Sequence, residues 1–460
     1  MQTNPLTILQ VSTFDIGGGA EKIASDLFKA YGALGLDSWL VVGRKYTRDA
    51  RVCEIPREQH KVPWAMLCWL LHGRFATLEQ RFVWAARVCR WLRTLAQGVP
   101  EVQRELGWED FHFPGTRKLL QLTPKTPDIL HCHNLHGGYF DLRMLPTLSR
   151  RLPTVLTLHD EWLLSGHCAH SLACDRWREG CGRCPDVSVY PMIRRDASAF
   201  NWRRKRKIYA RCRLYAATPS RWLMNRIEQS MLAECIVEKC VIPNGVDLSL
   251  FQPQDGKAAR DRLNLPQDAC IVLFVANRVR KNVFKDFEAV CRAVGIASQK
   301  RRHKSFLLLA LGEEAPDERA GDALIRFIPY HDDAATVALY YQAADLYLHA
   351  AKADTFPTTI LEALACATPV VATAVGGIPE QVKHGETGFL APFGDAEALA
   401  DSIVRITQDP ELRAAMSAAA RKDAELRFDF AQTASAYLAW YSELTRSWRT
   451  QNSFPRPQRS

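Results

Sequence analysis

Two carboxylates, Asp354 and Glu362, stand eight positions apart in the segment AKADTFPTTILEALACATPVVATAVGGIPE, residues 351–380. A strand ends near Ala350 and a loop carries Asp354. Pro357 reads as the first position of a helix, where a missing N–H is no loss. Glu362 then lies about one turn inside that helix. The helix start, Phe356, Pro357, Thr358 and Thr359, directs backbone N–H groups and the positive end of the dipole outward, which suits a diphosphate. Charge gathering on such a group needs cations. The segment VANRVRKNVFKDFEAV offers Arg278 at the end of a strand, with Lys281 or Lys285 beyond it.

On the N-terminal side, Gly17, Gly18 and Gly19 follow a short apolar run. They let backbone approach a ligand closely, as a phosphate loop at a helix entry does; a tight turn is the plainer reading. His159 ends the strand in VLTLHDEW, and DILHCHNLHGG adds His131, His133 and His136, with His133 and Asn134 nearest the strand end. A lone histidine is usually structural, and its strand-end position is what marks His159 for function. In SGHCAHSLACDRWREGCGRCP, Cys168, Cys174, Cys181 and Cys184 fall within 17 residues and include one CxxC. They form either a closed structural zinc site or a set of packed, reduced thiols.

These residues need elements to hold them. LTILQVST, DSWLVVG, DILHCHN, PTVLTLH and LYAATPS read as buried strands, each meeting a polar or helical segment. A second series, CIVLFVAN, SFLLLALGE, LIRFIPY, ADLYLHAA and PVVATAVGG, follows a more polar stretch at 254–268. Apolar strands alternating with helices imply parallel sheets covered on both faces. The reading is an N-terminal domain over 1–250, completed by the apolar helical segment 428–446, a C-terminal domain over 251–427, and a disordered tail over 447–460. Such sheets bind ligands beyond the carboxyl ends of their strands, so two of them face to face would define one cleft.

The 351–380 segment resembles the Glu-x7-Glu signature of the retaining glycosyltransferases of family 4, and the likeness runs from about Leu6 to Tyr441. It implies an α/β chain of GT-B fold, two facing Rossmann-like domains with a C-terminal helix returning to the N-terminal domain. It implies that Asp354 contacts the donor sugar and Glu362 the nucleotide ribose, with Asp standing where the family has Glu. It assigns the donor diphosphate to Arg278 and Lys285, the latter preceding Asp286 where the family has Gly. Gly18 and Gly19 match the family's ligand-contacting glycine loop, and His159 stands where a functional histidine is common, so His159 and Asp354 are the catalytic candidates. The implied reaction moves a hexosyl unit from a UDP- or GDP-sugar to a saccharide or lipid-linked saccharide, with retention, in polysaccharide biosynthesis. No cofactor is required for it. The cysteine insert is similar to one in a subgroup acting in bacterial surface-polysaccharide assembly.

Carboxylates set across a loop and a helix do not flank a glycosidic bond as a hydrolase pair does, which favours transfer over hydrolysis. A nucleotide-sugar epimerase on the same fold is the alternative. A nucleic-acid-binding role would leave the Asp354/Glu362 segment without a purpose, so no nucleic-acid partner is expected.

The 460 residues are 47% hydrophobic and 24% charged, enough for two or three cores. No basic segment and apolar stretch of a secretory signal opens the chain, and the apolar run at 62–71 is about half the roughly 20 residues a membrane helix needs. The 14 cysteines are expected to be mostly buried, reduced thiols. A net charge of +10 suggests an anionic partner. Residues 61–93 interleave Trp64, Trp69, Trp84 and Trp91 with Lys61, Arg74, Arg81, Arg87, Arg90 and Arg93, and residues 201–213 carry seven cations and no acid. Both suit either an anionic membrane surface or a core helix with a solvated face. The expected location is cytoplasmic, peripheral at the inner face of the membrane.

Overall fold

The computed structural model describes residues 6–56, 71–76, 78, 82–97, 99–300 and 305–452. The chain divides into two compact units. One takes in the chain up to Ala216, Arg226–Lys239 and Leu444 onward; the other holds Ala217–Asn225 and Cys240–Glu443.

The first sheet contains β1 (Thr7–Phe14), β2 (Asp37–Arg44), β3 (Val52–Glu54), β4 (Ile129–Cys132), β5 (Thr154–Thr157), β6 (Leu214–Thr218) and β7 (Ile236–Val241). Their spatial order is β3-β2-β1-β4-β5-β6-β7, and β1 runs parallel to both β2 and β4. β1 and β4 are buried almost throughout, as expected of strands covered on both faces.

The second sheet contains β8 (Cys270–Val275), β9 (Phe306–Leu311), β10 (Glu318–Ala320), β11 (Ala323–Ile328), β12 (Leu346–His349), β13 (Val370–Thr373) and β14 (Gly388–Ala391). The order is β10-β11-β9-β8-β12-β13-β14. β10 is an antiparallel edge strand on an otherwise parallel set. Alternation along β8 sends Ile271 and Leu273 into one core and Val272 and Phe274 into the other. Helices therefore cover both faces.

Leaving out β10, the second sheet has the order 3-2-1-4-5-6 in its own strand count, and the first has the same order with a seventh strand, β7, added beyond β6. Strand order thus reverses between β1 and β4 in one unit and between β8 and β12 in the other, and ligands bind beyond the carboxyl ends at such points.

The second unit begins before residue 251 and reaches past residue 427. Val246 pairs with Asp429, a Cβ on Gly245 would lie 2.5 Å from Phe430 Cα, and Thr433 Oγ1 donates to Pro243 O at 3.0 Å. The closing helix, Phe430–Asn452, therefore packs with the second unit as far as Glu443. Residues 447–452, expected to be disordered, are helical; 453–460 lie outside the described residues. Six described cysteines are buried and seven are half-buried, none of them in a disulfide, so burial is less complete than expected.

Candidate active site

At the β8/β12 reversal the two outgoing loops are sewn together. Lys285 pairs with Ala351, and Lys352 N–H donates to Phe284 O at 2.8 Å. Thr373 Oγ1 at the end of β13 accepts from Ala351 N and donates to Ala351 O, each at 2.9 Å. This places Lys285 Nζ 2.7 Å from Asp354 Oδ2 and 2.9 Å from His349 Nε2.

His349 ends β12 and is fully buried. With Nε2 accepting from the ammonium, its Nδ1–H donates to Tyr347 Oη at 2.8 Å. Burial, reinforced by Lys285, pushes the imidazole down to about 4, so it is neutral. Asp354 moves further in the acid direction. Burial alone would raise its carboxyl, but the Lys285 ammonium outweighs that and holds it well below the usual carboxylate range.

The Asp354 loop rests on two glycines. A Cβ on Gly376, whose φ is +58°, would lie 1.7 Å from Asp354 O, and one on Gly377 would lie 2.0 Å from Thr355 O. Pro357 is not the first helical residue. Its ψ of 125° is extended, so it serves as N-cap to the helix Thr358–Ala365. Phe356 is buried, its ring edge-on to Phe428 at 6.0 Å. Thr358 and Thr359 are half-exposed. Glu362 is buried, and Tyr341 Oη donates to its Oε2 at 3.0 Å. Arg278 and Lys281 are exposed. Arg278 has φ +54° and donates its N–H to Gly312 O. The structure thus joins Lys285 to Asp354 and leaves Arg278 apart from them. His349, Tyr341 and Gly376 escaped the sequence reading.

In the first unit, Gly17 has φ +139° and Gly18 is the N-cap of the helix Gly19–Ala33. Asp15 beside them accepts from Tyr46 N, Thr47 N and Thr47 Oγ1. Gln10 and His131 are neighbours in the β1–β4 register. His131 Nε2 lies 2.6 Å from Thr157 Oγ1. His133 Nε2 lies 3.0 Å from Gln10 Oε1, and its Nδ1 is 3.0 Å from His159 Nε2. Burial pushes His131 down to about 3 and His159 to about 4, and holds His133 well below its ordinary value. His136 behaves oppositely. Burial works against its charge, but Asp160 Oδ2 at 2.7 Å wins and raises it.

Cys168, Cys174, Cys181 and Cys184 line one small cavity together with His167, whose Nε2 is 3.3 Å from Cys184 Sγ. Among the described residues no three His, Cys, Asp or Glu side chains converge as metal ligands. Burial pushes the Cys168 thiol up to about 12 and that of Cys181 to about 11.

The 201–213 cations are partly spent inside the unit. Lys205 is fully buried and 3.0 Å from Glu109 Oε2, and Arg204 lies 4.4 Å from the Phe111 ring centroid. Trp84 and Trp91, by contrast, are 52% and 63% exposed. Lys61, Trp64, Trp69 and Arg81 lie outside the described residues, as do the side chains of Arg90 and Arg93. Among the described residues no helix is long and apolar enough to cross a membrane.

Two parallel sheets in Rossmann order, one carrying a lysine–carboxylate pair at its reversal point, define a glycosyltransferase of the GT-B type. The family model "Glycosyltransferase Family 4" matches residues 17–250, half of the chain, and "Glycosyl transferases group 1" matches 255–423. The chain belongs to glycosyltransferase family 4.

It is 34% identical over 220 residues to a D-inositol 3-phosphate glycosyltransferase of Saccharomonospora viridis, spanning 45% of this chain and 50% of that protein. A protein of the same name from Mycobacterium avium is 35% identical over 219 residues, spanning 46% and 50%. The chain thus spans about half the length of these curated relatives. Sucrose-phosphate synthase from Thermosynechococcus elongatus has a similar fold, with TM-score 0.62 at 18% identity, covering 96% of this chain and all of that one. Anabaena HepE in complex with UDP-glucose gives 0.60 at 18% identity, covering 95% and 100%.

Proposed function

We propose that the chain is a retaining glycosyltransferase that moves a hexosyl unit from a UDP- or GDP-sugar to a hydroxyl of a saccharide or lipid-linked saccharide in polysaccharide biosynthesis. The Lys285–Asp354 pair beside the helix start at Thr358 carries this reading. Lys285 and Arg278 neutralise the departing diphosphate, the helix start adds backbone N–H donors, Asp354 contacts the sugar and Glu362 the ribose. Retention follows from attack on the face the diphosphate leaves, with the diphosphate itself taking the acceptor proton.

UDP-glucose, the ligand named with HepE, is the first donor to test, against GDP-sugars. Stabilisation by one nucleotide family that disappears in Glu362→Ala supports the reading, as does an anomeric NMR signal for a retained product. No binding of any nucleotide sugar at millimolar concentration by folded protein overturns it. An inverted product overturns retention alone.

Two further parts belong to this proposal. Trp84, Arg87 and Trp91, at spacings of three and four on the helix Val83–Gln97, share one exposed face suited to an anionic membrane where a lipid-linked acceptor resides. Vesicles rich in anionic phospholipid should capture the protein at low salt, and Trp91→Ser should weaken capture; failure of wild type to bind refutes this part. The four cysteines of the 168–184 insert line one cavity with His167 but do not converge as ligands, so the structural zinc ion proposed for them would itself have to draw them together. Less than one zinc per chain in protein purified under reducing conditions refutes that.

A further inference from the structure

Gln10 is a polar residue in the middle of β1, between Leu9 and Val11, and none of its surface is exposed. A strand that packs both faces has no use for an amide there unless the amide has a partner. Its partner is His133: Oε1 lies 3.0 Å from His133 Nε2, while His133 Nδ1 lies 3.0 Å from His159 Nε2. The two imidazole planes are inclined by only 15°, which suits a shared in-plane hydrogen bond. Among the described residues the Gln10 Nε2 is buried with no hydrogen-bond partner, so the amide's bonding in this place is spent on the histidine side.

A neutral imidazole has one N–H and one lone pair. The direction of each bond in the chain is therefore fixed by its first member. With Gln10 Oε1 accepting, His133 donates from Nε2 and must accept at Nδ1. His159 then donates from Nε2, and its Nδ1 carries the lone pair. His131, its ring tilted 39° to that of His133 with centroids 4.2 Å apart, is occupied with Thr157 and does not compete for either nitrogen of His133.

We propose that Gln10 and His133 are positioning residues that lock His159 into the Nε2–H tautomer and so leave the lone pair of its imidazole on Nδ1. The proposal rests on the reading that His159 serves the transfer. The logic is that of a third group orienting a base, here with a neutral amide at the far end, so that no charge is buried. An amide cannot take a proton as a carboxylate would. The chain therefore orients His159 without relaying a proton out of it.

The decisive measurement is the ring 15N shift pattern of His159 in the full-length protein labelled at histidine, assigned by comparison with His159→Gln. An Nε2–H pattern in wild type is expected; an Nδ1–H pattern overturns the proposal. In Gln10→Glu, an acceptor of the same length, the Nε2–H pattern should persist, and its reversal again overturns the proposal. In Gln10→Leu the pattern should become mixed, and kcat should fall about 10- to 100-fold with KM for the nucleotide sugar within about twofold. Unchanged kcat in folded Gln10→Leu overturns the positioning role. Full activity of His159→Ala, by contrast, removes the transfer role of His159 while leaving the tautomer assignment to stand on the shifts.

Discussion

The two reversal points share a topology and differ in chemistry. At β8/β12 an ammonium and a carboxylate face each other at 2.7 Å. At β1/β4 the centre is a row of imidazoles that burial keeps neutral. The same strand order thus presents an ammonium–carboxylate pair in one unit and, in the other, neutral imidazoles with the His136–Asp160 pair beside them. Fold decides where a ligand goes; side chains at the strand ends decide whether the place favours an anion or a hydroxyl.

The largest way to break this contrast is Lys285→Ala. It removes the pair's cation and leaves the half-buried Asp354 without its ammonium partner, so kcat with the nucleotide sugar should fall about 10²- to 10³-fold and the melting temperature should drop. Adding Asp354→Asn to Lys285→Met should recover melting and leave activity absent. Steady-state rates and calorimetry on both variants check this.

Next comes Glu362→Gln, which on the proposed reading weakens a hydrogen bond to the donor's ribose. KM for the nucleotide sugar should rise about 10- to 100-fold with kcat changing less.

Gly376→Ala forces a Cβ against Asp354 O at a left-handed φ and should cost about 2 kcal/mol. Gly17→Ala, where a Cβ meets nothing within 4 Å, should cost less. Urea melts of the two variants rank them.

The gentlest test is pH. His131, His159 and His349 have folded values depressed to about 3, 4 and 4. Below about pH 6.5 the unfolded chain takes up protons these sites refuse. Their stability is full above that pH and declines as pH falls toward 4, by about 1.4 kcal/mol per pH unit for each histidine. His136, raised by Asp160, has the opposite sign: its contribution is full below about 6.5 and is lost as pH rises through its folded value. Because His131 and His159 both lie in the first unit, that unit should lose stability faster on mild acidification. Hydrogen exchange at pH 7 and pH 5 would show it, and equal loss in both units contradicts the assignment.

Much of the strand pattern was legible because buried parallel strands are continuous apolar runs, as β8, β9 and β13 are. β7 escaped because its six residues, IVEKCV, are half-buried or exposed, and β10 and β14 because three or four residues carry too little pattern. The Asp354–Glu362 spacing was readable from local order alone. The partnership of His349 with Lys285 was not, since 64 residues separate them and it is the pairing of the two loops, at Lys285–Ala351 and Phe284–Lys352, that brings them together. A histidine closing an apolar strand and a glutamine interrupting one were the available signals. Pro357 was read one position too far into its helix because φ near −60° fits both the N-cap and the first turn, and only ψ separates them.

β10 is three residues long, carries Glu318 and Arg319, and lies antiparallel against β11, whose sequence ALIRFI alternates buried and half-buried positions. Without it, the Ala323–Ile325 half of β11 would present unsatisfied amides and carbonyls beside Leu324 and Ile325, a template for strand addition by another molecule. This brief charged ribbon therefore acts as a guard against self-association. A chain lacking 315–321 should remain able to form the strands β8, β9 and β12 yet sediment as aggregates at concentrations where the intact protein stays dispersed.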